Sequence, residues 1–359
     1  MQKTDEKTWD AVRLTEIFDT ISRGKRIKKS DHIPGDIPYV SSTALANGTD
    51  GNCGNDKGVR KFGGCLTIAN SGSVGSCFYH PYEFVASDHV TALRCEGTSE
   101  DCYLGLSTLV GRLGEKYNFN REINDARISR ERIMIPLSDT GEPDYGYIEN
   151  YIQQKRSALL EKYRYWVKTR IEDLEDTMDI PLLCEKDWQA FVIKDIADVY
   201  SGHDIYAQER VNGETPLVTA VGTNNGIGYF VGNENDSRAE ETISVVRNGA
   251  SVGKAFYHKY SALYGNDCRR MKLKYSHSEF VNLFITQVIG MQNKAFSYSR
   301  KLGTERLQNL RIMLPVTDDG SPDYEYMEQY TKNLMLRKYK QYLAYLDSKE
   351  KIDTPTMSE

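Results

Sequence analysis

The segment Asp139-Thr-Gly-Glu-Pro-Asp-Tyr145 returns 179 residues later as Asp318-Asp-Gly-Ser-Pro-Asp-Tyr324. Shortly before each copy stands a second matched segment, Arg132-Ile-Met-Ile-Pro136 in the first half and Arg311-Ile-Met-Leu-Pro315 in the second. The two pairs keep the same order and the same separation, which chance matches do not do. The sequence therefore predicts that the chain is an internal duplication.

Further matches lie upstream at a period of 178 to 179 residues. They are Trp9 with Trp188, Asn70-Ser-Gly-Ser-Val-Gly75 with Asn248-Gly-Ala-Ser-Val-Gly253, and Phe78-Tyr-His80 with Phe256-Tyr-His258. A duplicated domain with a purely structural role is the alternative to a duplicated recognition unit.

Each half begins with a part that is rich in Gly, Asn, Ser and short β-branched runs. Cys65-Leu-Thr-Ile-Ala69 and Thr242-Ile-Ser-Val-Val246 are such runs, and each precedes an Asn-containing turn signal. We expect one helix per half, at about Glu100 to Leu113 and Glu279 to Met291. This part of each half is predicted to be a strand-rich α+β globule.

Each half ends in a long segment with helical periodicity. Apolar residues recur at three-, four- and seven-residue steps from Ile148 to Leu174, and less regularly from Tyr324 to Tyr345. A helix from about Asp144 to Asp176 would be roughly 48 Å long. One such helix cannot bury its apolar stripe alone, so the two are predicted to pair as an antiparallel coiled coil with a pseudo-twofold axis. A helical hairpin within each domain is the alternative.

Composition bounds the class of protein. Of 359 residues, 39% are hydrophobic and 27% charged, which is typical of a soluble protein of two ordinary domains. The chain has neither a signal peptide nor a long apolar run, and its seven cysteines show no C-x-x-C spacing, so a reduced cytoplasmic location without membrane contact is expected. The net charge of −5 is unusual for a protein that binds DNA alone, unless its basic residues cluster or a partner supplies phosphate contacts.

The repeated Ile/Leu-Pro…Pro-Asp-Tyr…Glu segments, Ile135 to Glu149 and Leu314 to Glu328, resemble those of specificity (S) subunits of Type I and Type IIB restriction-modification systems. The order globule, helix, globule, helix extends the resemblance over nearly the whole chain. It implies two target-recognition domains that read a bipartite, asymmetric DNA site at fixed spacing. It further implies helices that dock methyltransferase subunits, with a restriction or translocase subunit as a further partner.

The predicted fold is therefore α+β, with two similar target-recognition domains joined by two long spacer helices. The predicted bounds are 1–142 for the first recognition domain, 143–178 for the first helix, 179–186 for a linker, 187–321 for the second recognition domain, 322–351 for the second helix and 352–359 for a polar tail.

Candidate DNA contacts are chosen by residue type, because phosphates need cations and base edges need Arg, Asn, Ser or similar groups. Three kinds of segment qualify: a basic run, the Asn-containing turns, and a segment in which aromatic, amide and Arg residues alternate. The candidates are Arg23, Lys25, Arg26, Lys28, Lys29, Asn70, Ser71, Ser73, Asn118, Asn120, Arg121, Arg247, Asn248, Ser251, Tyr298, Arg300 and Lys301. For each kind the alternatives are a solvated loop, a plain β-turn, or aromatics packed on their own globule.

Motifs for catalysis are missing from the sequence. It has no Asn/Asp-Pro-Pro-Tyr segment of a methyltransferase, and Asn70 to Gly75 is a weak match to a dinucleotide loop. We therefore expect a non-catalytic subunit of a restriction-methyltransferase complex, without cofactor or metal. The remaining alternatives are a coiled-coil scaffold that binds proteins without reading DNA, and an enzyme with a cryptic site.

Overall fold

The computed structural model describes residues 7–118, 120–174, 178–297 and 300–353. The chain divides into two compact units, Met1–Tyr163 and Arg164–Glu359. The boundary falls inside the first long helix, so that this helix begins in unit 1 and ends in unit 2. We describe each unit by itself.

Unit 1 is an α+β globule followed by the long helix. Its strands are β1 (Trp9–Arg13), β2 (Thr20–Arg23), β3 (Ile37–Val40), β4 (Thr49–Cys53), β5 (Lys61–Phe62), β6 (Cys65–Ala69), β7 (Cys77–His80), β8 (Phe84–Ala86), β9 (Val90–Arg94) and β10 (Arg132–Pro136). Its helices are α1 (Leu14–Ile17), α2 (Glu100–Gly111), α3 (Asp125–Ile128) and α4 (Tyr145–Glu172).

Unit 2 repeats this order of elements. Its strands are β11 (Trp188–Val192), β12 (Ala197–Ser201), β13 (Asn212–Val218), β14 (Ile227–Val231), β15 (Thr242–Val246), β16 (Ala255–His258), β17 (Leu263–Tyr264), β18 (Cys268–Leu273) and β19 (Arg311–Pro315). Its helices are α5 (Ile193–Ile196), α6 (Glu279–Gly290), α7 (Thr304–Gln308) and α8 (Tyr324–Asp353).

The sheets of the two units have the same topology. An antiparallel sheet runs in the order β2-β9-β6-β7 in unit 1 and β12-β18-β15-β16 in unit 2. A second, mixed sheet runs β4-β3-β8-β5 in unit 1 and β14-β13-β17 in unit 2, so unit 1 carries one additional edge strand. The duplication read from the sequence is thus a duplication of strand order.

The first and last strands of each globule pair with each other. Trp9 lies opposite Pro136 in the β1–β10 ladder, and Trp188 lies opposite Pro315 in the β11–β19 ladder. The matched tryptophan and Met-Ile/Leu-Pro segments therefore form one two-stranded closure, with the same register in both units.

One helix covers the main sheet of each unit, as predicted. In unit 1, α2 buries Leu106 and Val110 in a core that includes Leu66 and Leu93 of the sheet. Ser99 caps this helix by accepting a hydrogen bond from the Cys102 amide at 3.2 Å. In unit 2, α6 occupies the matching position and buries Phe284 and Ile285.

Each long helix begins at an aspartate that is held in the same way. Asp144 accepts a hydrogen bond from the Tyr147 amide at 2.9 Å and pairs with Lys7 at 2.6 Å. Asp323 accepts from the Tyr326 amide at 2.9 Å and pairs with Lys186 at 2.8 Å. The carboxylate satisfies an amide of the first helical turn and favours the positive end of the helix dipole. The two helices begin at Tyr145 and Tyr324, two residues after the bounds of 143 and 322 drawn from the sequence, and α4 ends at Glu172.

Within unit 2, the end of α4 and the chain after it run antiparallel to α8. Arg164 forms an ion pair with Asp347 at 2.9 Å, and Trp166 meets Tyr339 edge to face with ring centroids 5.6 Å apart. Further along, Asn333 donates to the Met178 carbonyl and Tyr326 to the Pro181 carbonyl. As residue numbers increase along α4 and the segment after it, the residue numbers of their partners on α8 decrease. This order confirms the predicted antiparallel pairing. No helix of the described chain has the length and apolarity needed to cross a membrane.

Candidate nucleic-acid interface

The basic run of unit 1 leaves the sheet at the end of β2. Lys25, Arg26, Lys28 and Lys29 are exposed. Arg23 is half-buried, and its Nε donates to the Asp88 carbonyl at 2.6 Å while one Nη lies 3.9 Å from Asp125. The run thus combines one cation anchored on the globule with four that project into solvent.

The turn after β6 faces largely inward. Asn70 is fully buried and accepts a hydrogen bond from the Thr91 hydroxyl at 3.0 Å, and Ser71 is buried with its hydroxyl 2.6 Å from His89 Nδ1. Ser73 remains partly exposed. Asn70 and Ser71 hold the turn together, so we correct the expectation that their side chains reach DNA; only Ser73 stays a candidate.

The matching turn of unit 2 is more open. Asn248 and Ser251 are half-buried, and Asn248 donates to Asp267 at 3.4 Å. Arg247 lies 3.8 Å from the same carboxylate. Arg247, Asn248 and Ser251 are thus partly exposed, although Asn248 Oδ1 is buried without a hydrogen-bond partner among the described residues.

The segments of alternating aromatic, amide and Arg residues form small turns at the same place in each unit. Asn118 bridges to Arg121, and Ser297 bridges to Arg300. Asn118, Asn120, Arg121, Arg300 and Lys301 are exposed, and the Arg121 guanidinium stacks 5.1 Å from the Tyr117 ring. Tyr298, a further candidate, lies outside the described residues.

Two arginines at matching positions of the repeat, Arg127 and Arg306, form hydrogen bonds to the backbone beside these two turns. Arg127 donates to the Glu122 carbonyl, and Arg306 donates to the Lys301 carbonyl. Both guanidiniums therefore hold the backbone that presents the exposed residues.

The candidate segments come together within each unit. In unit 1 the Ile123 amide, just after the turn at Asn118, donates to the Asn70 carbonyl at 3.0 Å, and Asp125 approaches Arg23. In unit 2 the Leu302 amide donates to the Arg247 carbonyl at 3.0 Å. Segments that are far apart in sequence thus share one region of each globule.

Sequence reasoning missed Arg269. In the β2–β9 ladder Arg23 lies opposite Thr91, whereas in the β12–β18 ladder Ser201 lies opposite Arg269. Each unit therefore places one arginine at the same cross-strand pair, but from opposite strands. The exchange becomes visible only when strand register is known, because the repeat alone matches Arg23 with a serine.

His80 and His258 repeat for a structural reason. Each is fully buried and lies 2.8 Å from the hydroxyl of its neighbour on the sheet, Thr67 or Ser244. Burial lowers the pKa of both imidazoles to about 4. They are therefore neutral core residues at ordinary pH.

Each unit also carries an open groove, which we call the Trp–Met groove. In unit 1 it has a volume of about 660 Å³ and includes Trp9, Leu109 and Met134. In unit 2 it has a volume of about 740 Å³ and includes Trp188, Val288 and Met313, together with residues of α8. Met134 is 52% exposed and Met313 is 47% exposed, so both grooves are open to solvent. Five positions of the repeat line both grooves, and the unit 1 groove is also lined by the charged residues Glu115, Lys116 and Arg132.

The chain thus contains two copies of one α+β unit, each followed by a long helix, and each copy brings together turns that carry cations. This arrangement is typical of a protein with two recognition domains. The model of the Type I restriction modification DNA specificity domain matches the chain twice, at residues 6–172 and 185–342. The chain belongs to this family, and it is a specificity subunit with two recognition domains. Such subunits are non-catalytic components of restriction-modification complexes, which work together with DNA and the other subunits of the complex.

One curated protein and two solved structures are similar to the chain. The chain is 28% identical over 322 residues to the specificity subunit S.BcgI of a Type II restriction enzyme of Heyndrickxia coagulans, covering 88% of this chain and 92% of that one. Among solved structures it is similar to a Type I S subunit from M. genitalium (16% identity, 98% and 96% covered, TM-score 0.48). A further similar structure is the HsdS subunit from Thermoanaerobacter tengcongensis (16% identity, 95% and 91% covered, TM-score 0.31).

Proposed function

We propose that each unit reads one half-site of a bipartite, asymmetric site on double-stranded DNA, and that the long helices fix the distance between the half-sites. One observation carries the proposal: the two units share strand order and closing register but differ in the loops that bear the candidate contacts. The basic run from Arg23 to Lys29 has Ser201-Gly-His-Asp204 as its counterpart. Two such units would bind two different short sequences.

A randomised-DNA selection tests this proposal. The chain is co-expressed with its candidate methyltransferase subunit and selected near physiological salt, because affinity for DNA depends steeply on salt. Two short, different sequences at a constant spacing are expected. Enrichment of no sequence by an intact complex would favour the alternative, a coiled-coil scaffold that binds proteins without reading DNA.

We also propose that methyltransferase subunits dock on the start of each long helix and on the Trp–Met groove beside it. In unit 1 the first turns of α4 line a cavity together with Trp9 and Leu109, two residues that also line the Trp–Met groove. In unit 2, α8 lines the groove itself with Leu334 and Met335. Exposed apolar surface of this kind is typical of protein interfaces. Because the groove is duplicated, it fits two copies of one partner.

Co-purification with the methyltransferase subunit tests the docking surface. Met134→Asp and Met313→Asp should each weaken it, and the double variant should abolish it. Leu45→Asp is the matched control, since Leu45 is 63% exposed and lies outside both grooves. Loss of co-purification with the control alone, or full retention by the double variant, would contradict the docking proposal.

A restriction or translocase subunit would join the same complex. The DNA target favours a cytoplasmic location.

A further inference from the structure

Unit 2 contains an open cleft of about 630 Å³ whose wall carries an excess of positive charge. Four cations line it: Arg247, Arg269, Lys301 and Arg306. Glu305 is the acidic residue in the same wall, and Asp267 lies beside Arg247. The cleft thus lies at the point where the turn after β15 meets the segment before α7.

Arg269 forms the buried part of this wall. It is 6% exposed, and one Nη donates to the carbonyls of Asn266 and Cys268 at 2.8 and 3.1 Å. Its Nε has no hydrogen-bond partner, and in the described part of the chain its guanidinium forms no ion pair. A buried cation without an ion-pair partner is unfavourable. Burial, and then the neighbouring charge of Arg247, lower the pKa of Arg269.

The equivalent cleft of unit 1 has a different balance of acidic and basic residues. It has a volume of about 470 Å³ and contains Arg23 and Arg60 together with Asp19 and Asp125. Asp125 approaches Arg23 at 3.9 Å, whereas Thr304 stands at the matching position of unit 2. Among the described residues, the arginine of the shared cross-strand pair thus lies within 4 Å of a carboxylate in unit 1. In unit 2, Arg269 forms no ion pair, and the Asp267 carboxylate acts on it only at longer range.

We propose that the cleft of unit 2 binds a backbone phosphate of DNA, with Arg269 as the anchor and Arg247 and Lys301 beside it. The inference rests on the proposed DNA-reading function and names one contact within it. A phosphate projects from the duplex and can enter a cleft, whereas a buried guanidinium cannot extend into a groove to reach a base edge. The contact would therefore add affinity at every sequence and select none.

Salt dependence of DNA binding by the full-length chain tests the contact. The probe is a pool of random-sequence duplexes of about 30 base pairs, measured by fluorescence anisotropy between about 50 and 200 mM salt. Arg269→Gln should weaken binding several-fold and reduce the slope of log affinity against log salt by about 0.9. Arg247→Gln should change the slope in the same direction.

Lys272→Gln is the matched control. Lys272 lies on the same strand, β18, but on its opposite face, and it is exposed. This variant should keep the slope of the parent protein. Thermal unfolding supplies a second readout: Arg269→Gln should unfold at the parent's temperature or above it, since the variant no longer buries an unpaired charge. An arginine that serves the fold alone would give a lower unfolding temperature and unchanged DNA binding.

The outcomes separate this inference from the function on which it rests. If the parent binds no DNA, the DNA-reading function itself fails. If the parent binds and both variants keep its affinity and slope, the phosphate site is wrong. If Arg269→Gln does not fold, an unchanged slope in Arg247→Gln overturns the site, and a reduced slope supports it.

Discussion

At the scale of single residues, the paired histidines link burial to pH. The pKa of His80 and His258 falls from 6.5 to about 4 in the folded protein because both rings are buried. The unfolded chain therefore takes up protons between these two values while the folded protein does not. Stability is fully present above pH 6.5 and is lost as the pH falls towards 4, by up to roughly 3 kcal/mol per histidine.

His258→Gln should flatten this pH dependence. We expect it to lower the free energy of unfolding near neutral pH, because packing and a hydrogen bond are lost, but to reduce the further loss on acidification. Urea unfolding at about pH 7 and pH 5 measures both effects. His277→Gln is the control, since His277 is exposed and should leave the pH dependence as it is in the parent. An equal loss on acidification in His258→Gln and the parent would contradict the assignment.

Gly202 shows why a glycine recurs where the loop sequences differ. A Cβ at Gly202 would lie well inside 3.0 Å of the carbonyl oxygens of Tyr264 and Gly265, and one at Gly24 would meet Ala86 and Ser87 in the same way. At both positions the chain leaves the sheet by crossing another strand's backbone at close range. The loops beyond can vary, but this crossing cannot accept a side chain.

Gly202→Ala should therefore destabilise unit 2 by about 2–4 kcal/mol in urea unfolding, because backbone must move to admit the methyl group. Gly290→Ala serves as its control, as a Cβ there meets no atom within 4 Å and alanine favours the helix. Similar stabilities for the two variants would show that the crossing is looser than the structure indicates.

At the scale of secondary-structure elements, much of the fold follows from sequence pattern. The repeat, the two covering helices and the aspartates that start α4 and α8 depend on local signals, namely turn residues, caps and periodicity. The sequence pattern does not predict the register of the strand pairs or the burial of individual side chains. Burial separates Asn70 from Asn248, and only the β12–β18 ladder brings Arg269 to the position of Arg23. Candidate contacts chosen by residue type therefore included two buried side chains and left out Arg269, for which we propose a phosphate contact.

The end of α4 is joined to α6 by a partly buried ion pair, which gives a prediction for this element. Arg170 meets Glu279 at 2.7 Å, and Lys259 meets the same carboxylate at 2.6 Å. Burial alone would raise the pKa of Glu279, but hydrogen bonds from Lys259 and Arg170 outweigh it, so the pKa lies below its ordinary value. The ionised carboxylate thus stabilises the fold above that ordinary value, and the contribution is lost as the pH falls through the lowered pKa.

Arg170→Ala should reduce the free energy of unfolding of unit 2 by about 1–3 kcal/mol, since it removes a partner from a partly buried charge. Its effect should shrink under acid conditions, where Glu279 is protonated. Arg112→Ala breaks the exposed Arg112–Glu115 pair and should cost about 0–0.5 kcal/mol. Urea unfolding at two pH values distinguishes them, and an Arg170→Ala effect that is independent of pH would argue against the ion pair.

At the scale of the whole molecule, the two copies share their structural framework but differ in the residues proposed to contact DNA. Closing strands, buried histidines, helix starts and Trp–Met grooves recur at matched positions, and each concerns folding or the proposed docking. The basic run, the turn after the β6 or β15 strand, and the arginine of the shared cross-strand pair differ between the units. A protein that bound two identical half-sites would need no such difference, so the asymmetry itself favours two different half-sites.

The proposed role of the helices as a spacer makes the last prediction. Asp347 and Arg164 bring α8 and α4 side by side, so seven residues inserted after Glu161 and another seven after Asp347 should lengthen both helices together. Seven residues are close to two full turns, which keeps each apolar stripe on its face, and add about 10 Å. At about 3.4 Å per base pair, the selected half-sites should move apart by about three base pairs, with both half-site sequences unchanged. Insertion into α4 alone is the control and should weaken the complex, because the two helices no longer match. A double insertion that folds, binds and keeps the original spacing would show that the distance between half-sites is set elsewhere than in these helices.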